Sequence, residues 1–261
     1  MSGPTSVVVH ADRQLLCDAV AARLVTHLVD AQASRGVAHV VLTGGGVGIG
    51  VLASLAASPA RDAVDWRALH VWWGDERFLP SGDPERNETQ AREALLDHVP
   101  IPVANVHPMP PSDGPDGDDV DAAAARYADD LASASRPEDH ADVPRFDVLL
   151  LGVGPDAHVA SLFPGQPALY ETERTVVGVR GAPKPPPTRI SLTLPAIRLA
   201  SEVWFVAAGA DKAPAVRLAL SGSGEVQVPA AGPSGTRATR WLLDREAASQ
   251  VPPGLSRIAS P

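Results

Sequence analysis

The chain has 261 residues, a net charge of −9 and a single cysteine. That length fits one large α/β domain or two small ones, with a sizeable core either way. The acidity argues against a nucleic-acid surface or an anionic membrane partner, and the lone Cys17 excludes an internal disulfide framework and suits a reducing compartment. A small anionic ligand in a locally basic pocket stays open. Cys17 lies in the apolar-periodic segment Leu15–Leu28, so a buried structural thiol is expected. The first residues lack a charged n-region and an apolar h-region, and no apolar run approaches the ~18 residues of a spanning helix. A soluble, cytoplasmic protein is expected.

Strand-like and helix-like segments alternate along the chain. Val7–Val9 reads as a strand, and Asp12 is placed to cap a long amphipathic helix running to about Ser34. His39–Leu42 is a second strand ending in Thr43-Gly-Gly-Gly46, with a helix over Val47–Ala57. Leu69–Trp73 is a third strand, ending in Gly74-Asp-Glu-Arg77, and Glu85–His98 is helical. Proline and glycine mark Pro100–Gly117 as loop. Asp119–Ala134 is an alanine-rich helix. The apolar run Val148–Leu151 follows, short and branched as a strand buried on both faces should be. Further strands are expected at Thr175–Val179, Arg189–Thr193 and Val203–Ala207. Asp211–Leu220 is a helix, Ser221–Ser234 is rich in Gly, Ser and Pro, and Trp241–Asp244 is a last short strand. This alternation predicts an α/β fold: a mainly parallel, Rossmann-like sheet with helices on both faces. It resumes after Pro100–Gly117 without a change in composition. That loop is therefore a surface excursion rather than a linker, and residues 1–261 are expected to form one domain.

In such sheets ligands bind outside the carboxyl ends of the strands, and five strand ends carry chemistry. Thr43-Gly44-Gly45-Gly46 is either an anion cradle at a helix N-terminus or a tight turn without a ligand. It is not a P-loop, since no Gly-Lys-Ser/Thr follows, and its spacing breaks the dinucleotide fingerprint at Ile49. Asp75-Glu76-Arg77 is either a solvated charge run or a site in which Arg77 grips phosphate or carboxylate and Asp75 orients a hydroxyl or cation. Gly152-Val-Gly-Pro-Asp156-Ala-His158 places a histidine that is either a satisfied core residue or an acid/base group. Lys184-Pro-Pro-Pro-Thr-Arg189 is either a stiff, extended linker into an edge strand or a spacer holding two cations at fixed separation. Lys212, after Gly209-Ala-Asp211, falls in a first helical turn, where a cation is unfavourable without an anionic neighbour. Only two lysines occur, Lys184 and Lys212. A GC-rich genome explains that bias, but a lysine kept against it is a candidate for a site needing a compact ammonium. No cluster has metal-ligand spacing, and no serine sits in a nucleophile elbow. Together the strand ends suit a small phosphorylated substrate and proton transfer.

The motifs Thr43-Gly-Gly45, Trp73-Gly-Asp-Glu-Arg77 with Asn87-Glu88, Leu151-Gly-Val-Gly-Pro-Asp-Ala-His-Val-Ala-Ser-Leu-Phe-Pro164, Lys184-Pro-Pro-Pro-Thr-Arg189 and Gly209-Ala-Asp-Lys-Ala213 resemble those of the 6-phosphogluconolactonases, in the same order and over nearly the whole chain. The resemblance implies the sheet shared with glucosamine-6-phosphate deaminases and no cofactor. It also implies hydrolysis of 6-phospho-D-glucono-1,5-lactone to 6-phosphogluconate in the oxidative pentose phosphate pathway. By the same resemblance His158 is the general base, and Asp156 sets its tautomer or the turn. Arg77, Lys212, Asn87 and the Thr43-Gly44-Gly45 turn hold the phosphorylated substrate. Arg189 and Lys184 stabilise an oxyanion or bind phosphate. Two positions depart from the family pattern: Ala157 where glycine is typical, and Val159 where threonine or isoleucine is. Ala157 is strained by roughly 1 kcal/mol or more if its φ is positive. The alternatives are a deaminase-like isomerase and a non-catalytic sugar-phosphate sensor. Related deaminases carry a glutamate soon after the histidine, whereas here no acid follows before Glu171. The sensors usually carry a DNA-binding segment, and no basic helix-turn-helix stretch is present. No feature of the sequence fixes an oligomeric state.

Overall fold

The computed structural model describes residues 2–258; Met1 and residues 259–261, which the one-domain expectation includes, lie outside them. In chain order, β1 (Thr5–His10), α1 (Arg13–Arg35), β2 (Ala38–Leu42), α2 (Gly45–Ala57) and β3 (Leu69–Trp73) are followed by β4 (Asp75–Arg77), α3 (Asn87–Ala94) and α4 (Val120–Ala134). Then come β5 (Val148–Leu151), β6 (Val176–Val179), β7 (Arg189–Leu192), α5 (Leu194–Ile197), β8 (Glu202–Ala207), α6 (Ala213–Leu220), β9 (Ala238–Asp244) and β10 (Ser256–Ile258). Asp12 caps α1 as expected, its carboxylate accepting from the Leu15 N–H at 2.9 Å.

β2, β5 and β8 are buried at every position, without alternation, because both faces of their sheet are covered. They occupy the middle of a seven-stranded sheet of order β10-β1-β9-β8-β5-β2-β3, and every pairing in it is parallel. Successive side chains point to opposite faces. Val40, Leu150 and Trp204 thus meet Leu16, Leu24, Leu28 and Leu52 from α1 and α2. Val41, Leu149, Leu151 and Phe205 meet Tyr127 and Leu131 of α4, Val216 of α6, and Ile190 and Leu192. Each such side chain contributes about 1.5–3 kcal/mol on burial. Cys17 is 3% exposed within the α1 layer, as expected for a structural thiol.

Several expectations need correction. Thr175–Val179 and Arg189–Thr193 do not join the large sheet. β6 and β7, with β4, form a separate antiparallel sheet of order β4-β7-β6. The chain changes sheets at Gly74, whose N–H donates to Leu42 O of the large sheet at 3.1 Å and whose carbonyl accepts from the Leu192 N–H at 2.9 Å. Asp75–Arg77 is therefore a paired strand rather than a solvated charge run, and β7 is central rather than an edge. The Glu85–His98 helix contracts to Asn87–Ala94 plus a 3-10 turn at Leu96–His98, since Arg86 is extended. α2 begins at Gly45, so the glycine turn itself forms its first turn. The α6 region opens with a 3-10 turn over Ala210–Lys212 before the helix proper. β9 runs over seven residues between β1 and β8, and β10 follows it. Pro100–Gly117 is loop, but tied down: the Arg86 guanidinium donates to Met109 O at 2.6 Å and the Ser112 N–H to Leu79 O at 3.0 Å. None of its residues lines the cleft described next.

Candidate active site

From β2 the chain crosses to β3, and from β5 it crosses the other way, to β8. The boundary between β2 and β5 is thus the point where the winding reverses, and a crevice opens there at the carboxyl ends of the strands. Thr43 and Gly152, each directly after its strand, meet across it: the Gly152 N–H donates to Thr43 Oγ1 at 3.3 Å. Above them lies a small open cleft of about 180 Å³.

Nine of the sequence-predicted residues line this cleft: Thr43, Gly44, Gly45, Asp75, Arg77, Asn87, His158, Arg189 and Lys212. They come from both sheets. Asp75 and Arg77 lie on β4, whose register sets Arg77 opposite Arg189 of β7. The Arg77 guanidinium donates to Asn87 Oδ1 and to Glu85 O, and Asn87 Nδ2 donates to Asp75 O. Gly44 must lack a side chain because a Cβ there would collide with the Asn87 carboxamide. The Arg189 guanidinium donates to the carbonyls of Lys184, Pro185 and Pro186 at 3.1–3.2 Å, so it also organises the proline segment. That segment is a closed loop rather than an extended rod: the Ala182 N–H donates to Pro187 O at 2.9 Å, and the Pro185–Pro186 bond is cis. Lys212 lines the cleft with Asp211 3.0 Å from its ammonium.

Asp156 and Lys184 stand beside His158 without lining the cleft. Asp156 Oδ1 lies 2.6 Å from His158 Nδ1, and Lys184 Nζ donates to the same oxygen at 3.1 Å. Burial raises the Asp156 carboxyl, but His158 and Lys184 together hold it below the usual carboxylate range. An ionised carboxylate only accepts, so Nδ1 carries the proton and Nε2 is the basic nitrogen of His158. Burial lowers the imidazole pKa, the Lys184 charge adds to this, and Asp156 opposes it. His158 is therefore neutral at pH 7.

The turn that presents this pair is tightly built. The Ala157 N–H donates to Gly154 O, and the Gly154 N–H to His158 O. The ring folds back over Gly154, where a Cβ would overlap it and the Asp156 carboxylate. Ala157 has φ +65° and Ala160 φ +47°, so the conditional strain at Ala157 is present. Its methyl is buried, at 3% exposure, which offsets that cost by up to about 0.8 kcal/mol.

Sequence reasoning missed several contributors. Gly152, Val153, Gly154 and Ala160 line the cleft. Ser161 Oγ donates to Asp75 Oδ2 at 2.7 Å. Glu76 lies fully buried between Asp75 and Arg77. Ser161 sits inside the central motif and Glu76 inside the charge run, so both were visible as members of a pattern without a role. Among the described residues, no group of three or more His, Cys, Asp or Glu side chains is arranged to hold a metal ion. No helix among them is long and apolar enough to cross a membrane.

Residues 11–241 match the family described as glucosamine-6-phosphate isomerases/6-phosphogluconolactonase. A 6-phosphogluconolactonase of Streptomyces coelicolor is 66% identical over 260 residues, covering all of both chains. One from Mycobacterium tuberculosis is 50% identical, covering 95% of this chain and 99% of its own. Among solved structures, the 6-phosphogluconolactonase from Trypanosoma brucei superposes with a TM-score of 0.82 at 30% identity, covering 97% of this chain and 100% of its own. A monomeric glucosamine-6-phosphate deaminase, 21% identical with a TM-score of 0.73, shares the fold over 93% of this chain and 99% of its own. By sequence over nearly its full length, this chain belongs to the glucosamine-6-phosphate isomerase/6-phosphogluconolactonase family.

Proposed function

We propose that the chain hydrolyses 6-phospho-D-glucono-1,5-lactone to 6-phosphogluconate in the oxidative pentose phosphate pathway, as a cytoplasmic enzyme without a cofactor. The observation that carries this reading is the oriented His158–Asp156 pair beside three cations, Arg77, Arg189 and Lys212, that line one cleft. The names of the full-length relatives support it.

In this mechanism Asp156 holds the Nδ1–H, and His158 Nε2 takes a proton from water as the water oxygen bonds to the lactone carbonyl carbon. The tetrahedral oxyanion collapses and breaks the bond to the ring oxygen. The imidazolium returns its proton to that oxygen, so the base is regenerated within the turnover. Arg77, Lys212, Asn87 and the Thr43-Gly44-Gly45 turn hold the phosphate, with the N-terminus of α2 adding its dipole. Arg189 faces the developing oxyanion, and Lys184 keeps Asp156 ionised. Asp75, fixed by Ser161, accepts from a sugar hydroxyl. Lactones open spontaneously in water, so one general base and positioning are sufficient contributions.

The test is proton release from freshly prepared 6-phosphoglucono-1,5-lactone with wild type and His158→Ala. Rapid hydrolysis reduced by about 10² or more in the variant is expected. A wild-type rate at background would overturn the lactonase reading, and an unimpaired variant would remove His158 from the chemistry.

A further inference from the structure

Glu76 does not line the cleft, yet three backbone groups of the anion-binding wall converge on it. Its side chain is buried, at 0% residue exposure. Oε1 accepts from the N–H groups of Arg77 at 2.8 Å and Asn87 at 2.7 Å. Oε2 accepts from the Glu88 N–H at 2.9 Å. Asn87 and Glu88 open α3, whose N-cap residue Arg86 gives no side-chain cap of its own. Glu76 thus caps α3 from a neighbouring strand, satisfying two of its orphan donors while fixing the backbone of Arg77. The next contacts outward are those of the site itself: Arg77 to Asn87 Oδ1, and Asn87 Nδ2 to Asp75 O, both at 2.8 Å.

We propose that Glu76 is a positioning residue for phosphate recognition, its buried carboxylate holding Arg77 and Asn87 in register at the cleft wall. The substrate named here rests on the lactonase reading above. A carboxyl group suits this position because both of its oxygens can accept, so all three inward N–H donors are satisfied, whereas an amide has only one accepting oxygen. Burial pushes the Glu76 carboxyl up to about 7, against the Arg86 charge and the three N–H groups, which all favour ionisation. The Arg86 guanidinium, itself fully buried, lies 4.0 Å from Oε2 and supplies the compensating charge. An amide at this position turns an NH2 group toward the Glu88 N–H or the Arg77 and Asn87 N–H pair. Donor then faces donor, and α3 must shift with Asn87 on its first turn.

The experiment compares Glu76→Gln with wild type on two substrates, the phosphorylated lactone and unphosphorylated D-glucono-1,5-lactone. The ratio of their kcat/KM values is expected to fall about tenfold, carried by KM for the phosphorylated substrate, as for a lost binding interaction. Calorimetric titration with 6-phosphogluconate is expected to show a matching rise in Kd. Glu76→Asp keeps the charge beside Arg86 but withdraws the carboxylate by one methylene. It is expected to fold and to show the same selective rise, so it reads the proposal if the glutamine variant does not fold. An unchanged ratio and Kd, or an equal loss on both substrates through kcat, overturns the proposal. If wild type binds 6-phosphogluconate but hydrolyses neither lactone, the lactonase reading fails. The positioning role is then decided by Kd alone: a weaker Kd in the variants supports it and an unchanged one overturns it.

Discussion

His158 Nδ1 lies 2.6 Å from Asp156 Oδ1, two residues earlier in the same turn, and the ring rests over Gly154. This local arrangement sets the tautomer, the charge state and the direction of the imidazole together. Burial lowers its pKa while Asp156 opposes the shift, so the base form persists to the acid side of an ordinary histidine. The acid limb of kcat/KM is therefore expected below pH 6.5. Asp156→Asn removes the group that favours the imidazolium. It should move that limb further toward acid and lower the plateau by about 10-fold or more through loss of tautomer control. A limb that moves toward alkali on this substitution would contradict the assignment.

Gly154→Ala tests whether the ring needs the empty space beneath it. A methyl there cannot coexist with the observed positions of His158 and Asp156. The variant is expected to lose activity by about 10² while costing about 1–3 kcal/mol of stability. Full turnover with a displaced histidine in its crystal structure would separate the chemistry from this geometry.

Lys212→Ala is expected to raise KM for the phosphorylated lactone by about tenfold, the size of one charge-assisted contact. Its effect on unphosphorylated D-glucono-1,5-lactone should be smaller. Kinetics on the two substrates side by side decide it, and equal losses on both would refute a phosphate-specific role.

A second histidine group is expected to contribute to acid stability. His39 is buried and accepts from Trp72 Nε1 at 3.2 Å; His70 Nδ1 and His107 Nε2 are 2.9 Å apart and share one proton. Burial first, and mutual repulsion second, depress His39 to about 3 and His107 to about 4; burial and the Arg136 charge also lower His70. The unfolded chain therefore takes up protons first as pH falls. The histidines' contribution to stability is fully present above pH 6.5 and declines from there down to about 3, while Glu76, raised to about 7, opposes it between about 7 and 4.5. His39 alone accounts for a loss on the order of 4 kcal/mol across that window. Urea unfolding at pH 7 and pH 5 should show this, and His107→Phe, which keeps a ring on Trp72, should flatten the slope. A pH slope in His107→Phe equal to that of wild type would rule the histidines out.

The residues legible from sequence were those whose local pattern carries its own explanation. The unalternating runs Val148–Leu151 and Val203–Ala207 read as central strands because burial on both faces leaves no polar positions. Glycine, aspartate and histidine directly after such a run marked the carboxyl edge where ligands bind. Asp12 was legible as a cap for the same local reason. Thr175–Val179 and Arg189–Thr193 were equally recognisable as strands, but not as a second sheet. Strand propensity is local, whereas pairing partners are chosen by contacts remote in sequence.

By itself the sequence determined the α/β class, the alternation of elements, the motifs at the strand ends and the residue types available for chemistry. These follow from periodicity and from the few conformations open to glycine and proline. Only the tertiary structure decided that the winding reverses between β2 and β5, which opens the cleft. It alone brought Arg77 opposite Arg189 across a separate sheet and turned Glu76 inward beneath Arg77 and Asn87. Asp75, Glu76 and Arg77 look alike in sequence as three successive charges. The pleat of β4 and the approach of α3 give each a different environment, and environment rather than residue type sets what a charged group does.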